Sequence, residues 1–191
     1  RGLFDSVALV FLGAPDLIDG RSGATVLDQV KTQATLMRMT SEMDLSAVLG
    51  LVGGRGWEWV NAAFLSGGAW LLWRGVIRWR LPAGFLFGLG CAAVVGTIAD
   101  PELHRGLLFH YFTGATMIAA FFIVTDPVSS PTSQRGMLLF GFGVGLCTYL
   151  IREFGSYPDG VAFAIVAMNS CAPLIDRLTQ PRLYGTSGKS D

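Results

Sequence analysis

A threonine hydroxyl behind two small residues lies in the chain's most informative tract, Ile18-Asp19-Gly20-Arg21-Ser22-Gly23-Ala24-Thr25-Val26-Leu27-Asp28. Thr25 falls where a helix is expected to start. Gly23 and Ala24 leave room for a bulky group against the backbone, and the free amides of a helix start favour a phosphate. The same letters also describe a loop closed by an ordinary N-cap. A tract of similar spelling, Thr113-Gly114-Ala115-Thr116, lies inside an apolar run. It lacks an acidic residue at the place that Asp19 takes before Ser22. On a continuous helix Thr116 would sit about 15 Å along the axis, inside the apolar layer.

Thr125-Asp126-Pro127 is the next candidate. A residue before proline is driven out of the α region, so a helix should end or break here and expose carbonyls beside the Asp126 carboxylate. Such a place suits a cation or the polar edge of a bound group, and equally a helix-terminating turn. His104 and His110 could relay protons or serve solvated or helix-end roles. Cys91, Cys147 and Cys171 lie far apart in apolar runs with no C-x-x-C pair, so a zinc or iron–sulfur site made by this chain alone is not expected. No residue is assigned to catalysis.

The elements that must position these groups are membrane helices. Charged residues make up 15% of the 191 residues and apolar ones 51%, with 25 glycines and no net charge. Soluble domains carry roughly a quarter charged residues, and nucleic-acid binding needs phosphate neutralisation, so neither a soluble enzyme nor a nucleic-acid partner fits. Five apolar stretches, 57–73, 81–99, 107–125, 137–151 and 161–175, each approach the ~30 Å hydrocarbon core as helix. The fold class expected is all-α and polytopic. Glycines and small residues at 66–69 and at 141, 143 and 145 suggest close helix packing.

Arg74, Arg78, Arg80, Arg135, Arg177, Arg182 and Lys189 would share one side, against Arg105 and Arg152 in the short loops of the other. By the positive-inside rule the tail at 177–191 is cytoplasmic and residues 1–56 face outward. Trp57, Trp59, Trp73 and Trp79 end apolar runs, as interfacial anchors do. Residues 3–12 are expected to finish a helix that began before Arg1, and 24–39 to run as a helix. Three regions follow: 1–56 with the Thr25 tract, the spans at 57–176, and the tail.

The tract at Asp19, Ser22, Gly23, Ala24 and Thr25 resembles the flavinylation motif of bacterial membrane redox complexes. Gly56-Trp57-Glu58-Trp59-Val60-Asn61, Thr113-Gly114-Ala115-Thr116-Met117, Thr125-Asp126-Pro127-Val128, Tyr157-Pro158-Asp159-Gly160-Val161-Ala162-Phe163, Pro173-Leu174-Ile175-Asp176 and Gln180-Pro181-Arg182-Leu183-Tyr184-Gly185 are similar to the D-subunit family of Rnf electron-transport complexes. The resemblance implies the second half of a ten-helix, two-repeat protein of the bacterial inner membrane, with its flavin segment on the periplasmic side. It implies FMN joined to Thr25 through a phosphoester by a separate flavin transferase, and a second, noncovalent flavin such as riboflavin. It further implies other Rnf subunits (A, B, C, E and G) as partners, and ion-translocating electron transfer between ferredoxin and NAD. The B subunit of sodium-pumping NADH:quinone reductase shares the flavin site. Alternatives of other classes are a channel or transporter half without flavin, and a scaffold subunit.

Overall fold

The computed structural model describes residues 25–35, 56–101 and 104–180. Asp19, Ser22, Gly23, Ala24, the stretch 3–12 and residues 181–191 lie outside them. The described residues form helices without strands: α1 (Val26–Thr35), α2 (Trp57–Trp73), α3 (Arg80–Ala99), α4 (Leu107–Phe112), α5 (Thr116–Ile118), which runs on into a π-helical turn at Ala119–Ile123, α6 (Gln134–Phe154) and α7 (Val161–Thr179).

α3, α6 and α7 are each long and apolar enough to cross a membrane. α2, with 17 residues, reaches about 26 Å. Large apolar side chains point outward along these helices, with Ile98 and Leu178 each 76% exposed and Val166 67%. In water that surface would be costly; in lipid it is the ordinary exterior. The chain has the make-up of a multi-pass membrane protein.

The helices alternate in direction. Arg80 donates to Gln134 at the start of α6, while beyond the far end of α3 His104 reaches Tyr149 and Glu153 near the end of α6. α3 and α6 therefore run parallel, opposite to α2, α4–α5 and α7. Their contact is backbone on backbone. Gly84 and Gly88 of α3 face Gly141 and Gly145 of α6, and a Cβ on Gly84 would stand 2.7 Å from the Leu138 carbonyl oxygen. Without a hydrophobic drive between helices in lipid, small residues let backbones approach and gain dispersion. The expected packing role of Gly141 and Gly145 is met here, while Gly143 faces Met168 of α7 and Gly68 faces Phe121. Around the seam a core of Phe85, Leu89, Met137, Phe140 and Val144 closes.

The stretch at 107–125 departs from the single span expected. α4 ends at Phe112 and α5 starts at Thr116. Hydropathy could not reveal this, because apolar letters continue across the break. α6 also begins three residues earlier than its apolar stretch. Ser133 caps it, accepting from Gly136 N at 2.9 Å, and Asp176 of α7 holds the Thr132 amide at 2.9 Å. Arg74, Arg78, Arg80, Arg135 and Arg177 gather at the end of the bundle where α2 finishes, and Trp73 and Trp79 are exposed there. Arg152 is not the loop charge expected of it. It lies in the last turn of α6, 4% exposed.

Candidate functional site

Thr25 immediately precedes α1, and its hydroxyl accepts from the Asp28 amide at 3.3 Å. That bond caps a helix whose first amides lack intrahelical partners. The residue is exposed, so the hydroxyl is both fixed and accessible. Val26 and Leu27 turn inward and pack on Phe109. Lys31 anchors the helix, its Nζ donating to the Arg152 carbonyl at 2.7 Å. Burial lowers the Lys31 pKa, and the charge of Glu153 works against that shift.

Behind Thr25 lies a cavity of about 320 Å³ bounded by Trp57, Asn61, Phe64, Thr113, Gly114 and Asp159 among others. Its inner wall is the break between α4 and α5. Gly114 takes φ +65°, a left-handed conformation that costs glycine little. A Cβ there would also meet Asp159 Oδ2 at 2.5 Å and Leu27 Cδ1 at 2.6 Å. Glycine is thus required twice over, for its φ and for its size.

A helix break within a membrane strands backbone donors and acceptors that lipid cannot satisfy. Four side chains take them up. Asn61 Nδ2 donates to the carbonyls of Trp57, Phe112 and Gly114 at 3.0, 3.3 and 3.2 Å, and Asn61 Oδ1 accepts from Met117 N at 3.2 Å. Arg152 Nη1 donates to the His110 carbonyl at 3.0 Å, and Nη2 to Thr116 Oγ1 at 3.0 Å and to the Thr113 carbonyl at 3.4 Å. Asp159 Oδ2 accepts from Ala115 N at 2.8 Å, while Oδ1 pairs with Arg152 Nη2 at 3.0 Å. Thr116, expected deep in an unbroken helix, is the first residue of α5 and fully buried. Its hydroxyl serves the His110 carbonyl at 2.7 Å.

Asn61 and Asp159 carry no individual assignment from the sequence, and Arg152 only that of a loop charge. The available signals were a lone amide early in an apolar run and a Gly flanked by threonines in another. Neither specifies which partner answers which break.

Thr125 and Asp126 lie at the opposite end of the bundle, beside a cavity of about 580 Å³ that Arg78 also borders. Asp126 Oδ2 accepts from Ser129 Oγ at 2.8 Å and Oδ1 from the Val128 amide at 3.3 Å. The Ser129 hydroxyl, followed by the Val128 amide, holds this carboxyl below the usual carboxylate range. Thr125 Oγ1 turns back to the Phe121 carbonyl at 2.8 Å. These contacts make a turn with one ionised group at the cavity's edge. Cys91 and Cys147 are half-buried and Cys171 exposed, all three as free thiols. Among the described residues no group of His, Cys, Asp and Glu could hold a metal ion.

Comparison with known proteins adds the family. The sequence model of the NQR2, RnfD, RnfE family matches residues 5–185. Two relatives, each named as the D subunit of an ion-translocating oxidoreductase complex, come from Pseudomonas paraeruginosa (strain DSM 24068 / PA7) and Escherichia coli (strain K12). The first is 51% identical over 187 residues, covering 96% of this chain and 53% of the relative. The second is 44% identical over 195 residues, covering 96% of this chain and 55% of the relative. The chain therefore spans about half the length of these curated relatives. With its helical membrane architecture and a family match over nearly its full length, the chain belongs to the NQR2, RnfD, RnfE family.

Proposed function

We propose that this chain is the second half of the FMN-carrying D subunit of an ion-translocating ferredoxin:NAD oxidoreductase of the bacterial inner membrane. It works as a subunit within the complex and is not an enzyme alone. The observation that carries the proposal is the Thr25 hydroxyl, exposed at the start of α1 with a cavity directly behind it. Relatives named as D subunits of ion-translocating oxidoreductase complexes support the setting.

The residues present suit FMN. Thr25 supplies an oxygen for a phosphoester, and the start of α1 supplies amides and the positive end of a helix dipole for the phosphate. Trp57 and Phe64 offer apolar walls to a flat ring, and Asn61 and Asp159 offer polar edges. The cavity volume falls within the range of ~300–1,000 Å³ usual for small-molecule sites. When bound, FMN supplies one-electron chemistry that no side chain here can perform. The protein's own part is to orient. Asn61, Arg152 and Asp159 keep the break rigid, so the wall facing the ring does not relax when charge arrives. Lys31 fixes the helix bearing the attachment point.

The proposed orientation puts the Thr25 end on the periplasmic side and the arginine-rich end in the cytoplasm. Partners would be the remaining Rnf subunits and, before assembly, the flavin transferase. Thr125 and Asp126 are the proposed contact for the coupling ion or a second flavin such as riboflavin. The test is expression of the full-length protein with the transferase, followed by ultraviolet imaging of a denaturing gel. A fluorescent band lost in Thr25→Val and kept in Thr116→Val is expected. Absence of the band in the wild type would instead favour a channel half or a scaffold.

A further inference from the structure

One cluster near the Thr25 cavity has no task in that reading. His104 Nδ1 lies 3.0 Å from Glu153 Oε2, and His110 Nε2 lies 3.6 Å from Glu153 Oε1, so one carboxylate stands between two imidazoles. Side-chain exposure is 11% at His104 and 18% at Glu153 and drops to 1% at His110. Tyr149 Oη touches the outer histidine at 3.4 Å, and its ring packs on the inner one with centroids 5.2 Å apart. Lys31 of α1 and Arg105 before α4 lie within electrostatic reach of Glu153. Arg152 turns its guanidinium away from Glu153, to Asp159 and the break.

A neutral imidazole always carries one N–H, and a buried donor without an acceptor costs about 1–3 kcal/mol. By strict hydrogen-bond geometry neither ring nitrogen of His110 is served, with Nε2 facing Glu153 Oε1 at 3.6 Å and the Arg105 backbone close enough to act on the ring. The hydroxyl of Thr113 is likewise unserved by that geometry. Thr113 is 1% exposed, stands three residues after His110 at the end of α4, and borders the Thr25 cavity. Of these two buried groups, His110 faces the ionisable pair and Thr113 borders the cavity.

We propose that His104, Glu153 and His110 form a proton port that takes protons from the solvent and delivers them past Thr113 to the Thr25 cavity. The inference rests on the reading of Thr25 as the FMN site, because the reduced flavin is the final acceptor, one proton matching one arriving electron. A proton enters at His104 and passes from Nδ1 to Glu153 Oε2. After a half-turn of the carboxyl it passes to His110 Nε2, and His110 releases one from Nδ1. Each group regains its starting charge once one proton has crossed, and rotation of the two imidazoles restores their starting tautomers. A single bridging water between His110 and Thr113 is the smallest link that satisfies both. The residues are positioning and relay groups, not attachment points.

The experiment uses the full-length protein in its complex. In-gel fluorescence is scored first, and the rate of proton uptake on reduction of the covalent flavin is then followed by stopped flow with a pH indicator in wild type, Glu153→Gln, Glu153→Asp and His110→Gln. The expected result is a fluorescent band in all four, proton uptake slowed about a hundredfold in Glu153→Gln and His110→Gln with the equilibrium midpoint potential unchanged, and recovery of the rate in Glu153→Asp. A merely structural role would lower thermal stability and leave the uptake rate alone. Wild-type uptake rates in both Glu153→Gln and His110→Gln would overturn the port while leaving the flavin reading intact. A wild type without fluorescence would overturn that reading, and the port is then judged by NMR of 15N-histidine-labelled protein. Glu153→Gln is expected to move the ring 15N chemical shifts of both His104 and His110, and unchanged shifts at His110 would overturn the port.

Discussion

The α3–α6 seam and the α4–α5 break bring helices together in lipid by opposite means. At the seam, Gly84, Gly88, Gly141 and Gly145 take side chains away, so backbones meet and dispersion holds them. At the break, Asn61, Arg152 and Asp159 add polar side chains where backbone groups would otherwise be stranded. The first arrangement tolerates no added volume, whereas the second tolerates no lost partner. Substitutions that are mild in one region should therefore be severe in the other. The difference also tells which region has a use beyond packing, since polar groups in a membrane are costly and the seam manages without them.

The largest effect should come from stranding the Arg152 guanidinium. Its side chain is 1% exposed, whereas that of Asp159 is 28% exposed. Asp159→Ala should cost about 3–5 kcal/mol, the scale of a broken buried pair. Adding Arg152→Met should return part of that loss, because neighbouring groups are not additive. Thermal unfolding in detergent reads both, and equal Tm values for wild type and Asp159→Ala would erase the contrast between the two regions. Gly145→Leu comes next. It drives a side chain into the Phe85 carbonyl and should cost ~1–3 kcal/mol by overpacking, whereas Gly56→Ala, with open space around it but a φ of +87°, tests backbone strain alone.

Thr25→Val should lower stability by only about 1 kcal/mol, the value of a lost cap, yet remove covalent flavin fluorescence entirely. Thr116→Val should keep the fluorescence and weaken the hold of Arg152 on the break. If fluorescence followed Thr116, the break would be the attachment site. The smallest structural effect belongs to Asp126→Asn. Because hydrogen bonds hold its folded carboxyl below the value in an unfolded chain, its contribution is present above the ordinary carboxylate range and is lost as pH falls through the lowered value. The variant should match wild type in assembly and covalent flavin, with slower coupled electron transfer read as ion-dependent turnover. Unaltered turnover and ion dependence would leave the residue as a turn former.

Much of the architecture was legible in the residues themselves. The stretch at 57–73 coincides with α2, and among the described residues Arg74, Arg78, Arg80, Arg135 and Arg177, all expected on one side, gather at one end. Hydropathy reports the medium around a helix, so it finds spans well. It is silent on what lies inside a span, which is why 107–125 concealed a break. Arg152 misled for a related reason: a charge at the edge of an apolar run looks like a loop residue until a half-buried Asp159, seven positions on, is placed against it. Gly141 and Gly145 were readable as a packing stripe, but their partner needed the fold. Of the candidate site, Thr25 and its helix start could be read from the local spelling. Asn61 and Asp159 could not, because their tasks are set by backbone groups far away in the chain.

The seam also has a bearing on how the chain assembles. Gly84 and Gly141 stand 57 positions apart, and α4 and α5 are made between them. Contacts of such separation form late and slow the search for the native state. During synthesis, α3 must remain in the bilayer with its glycine face against lipid or a chaperone until α6 arrives. By then α2, α4 and α5 must already stand aside in the right order, because two parallel helices joined through an intervening span cannot close by a simple hairpin. The glycine stripe thus makes the bundle's tightest contact one of its last to form.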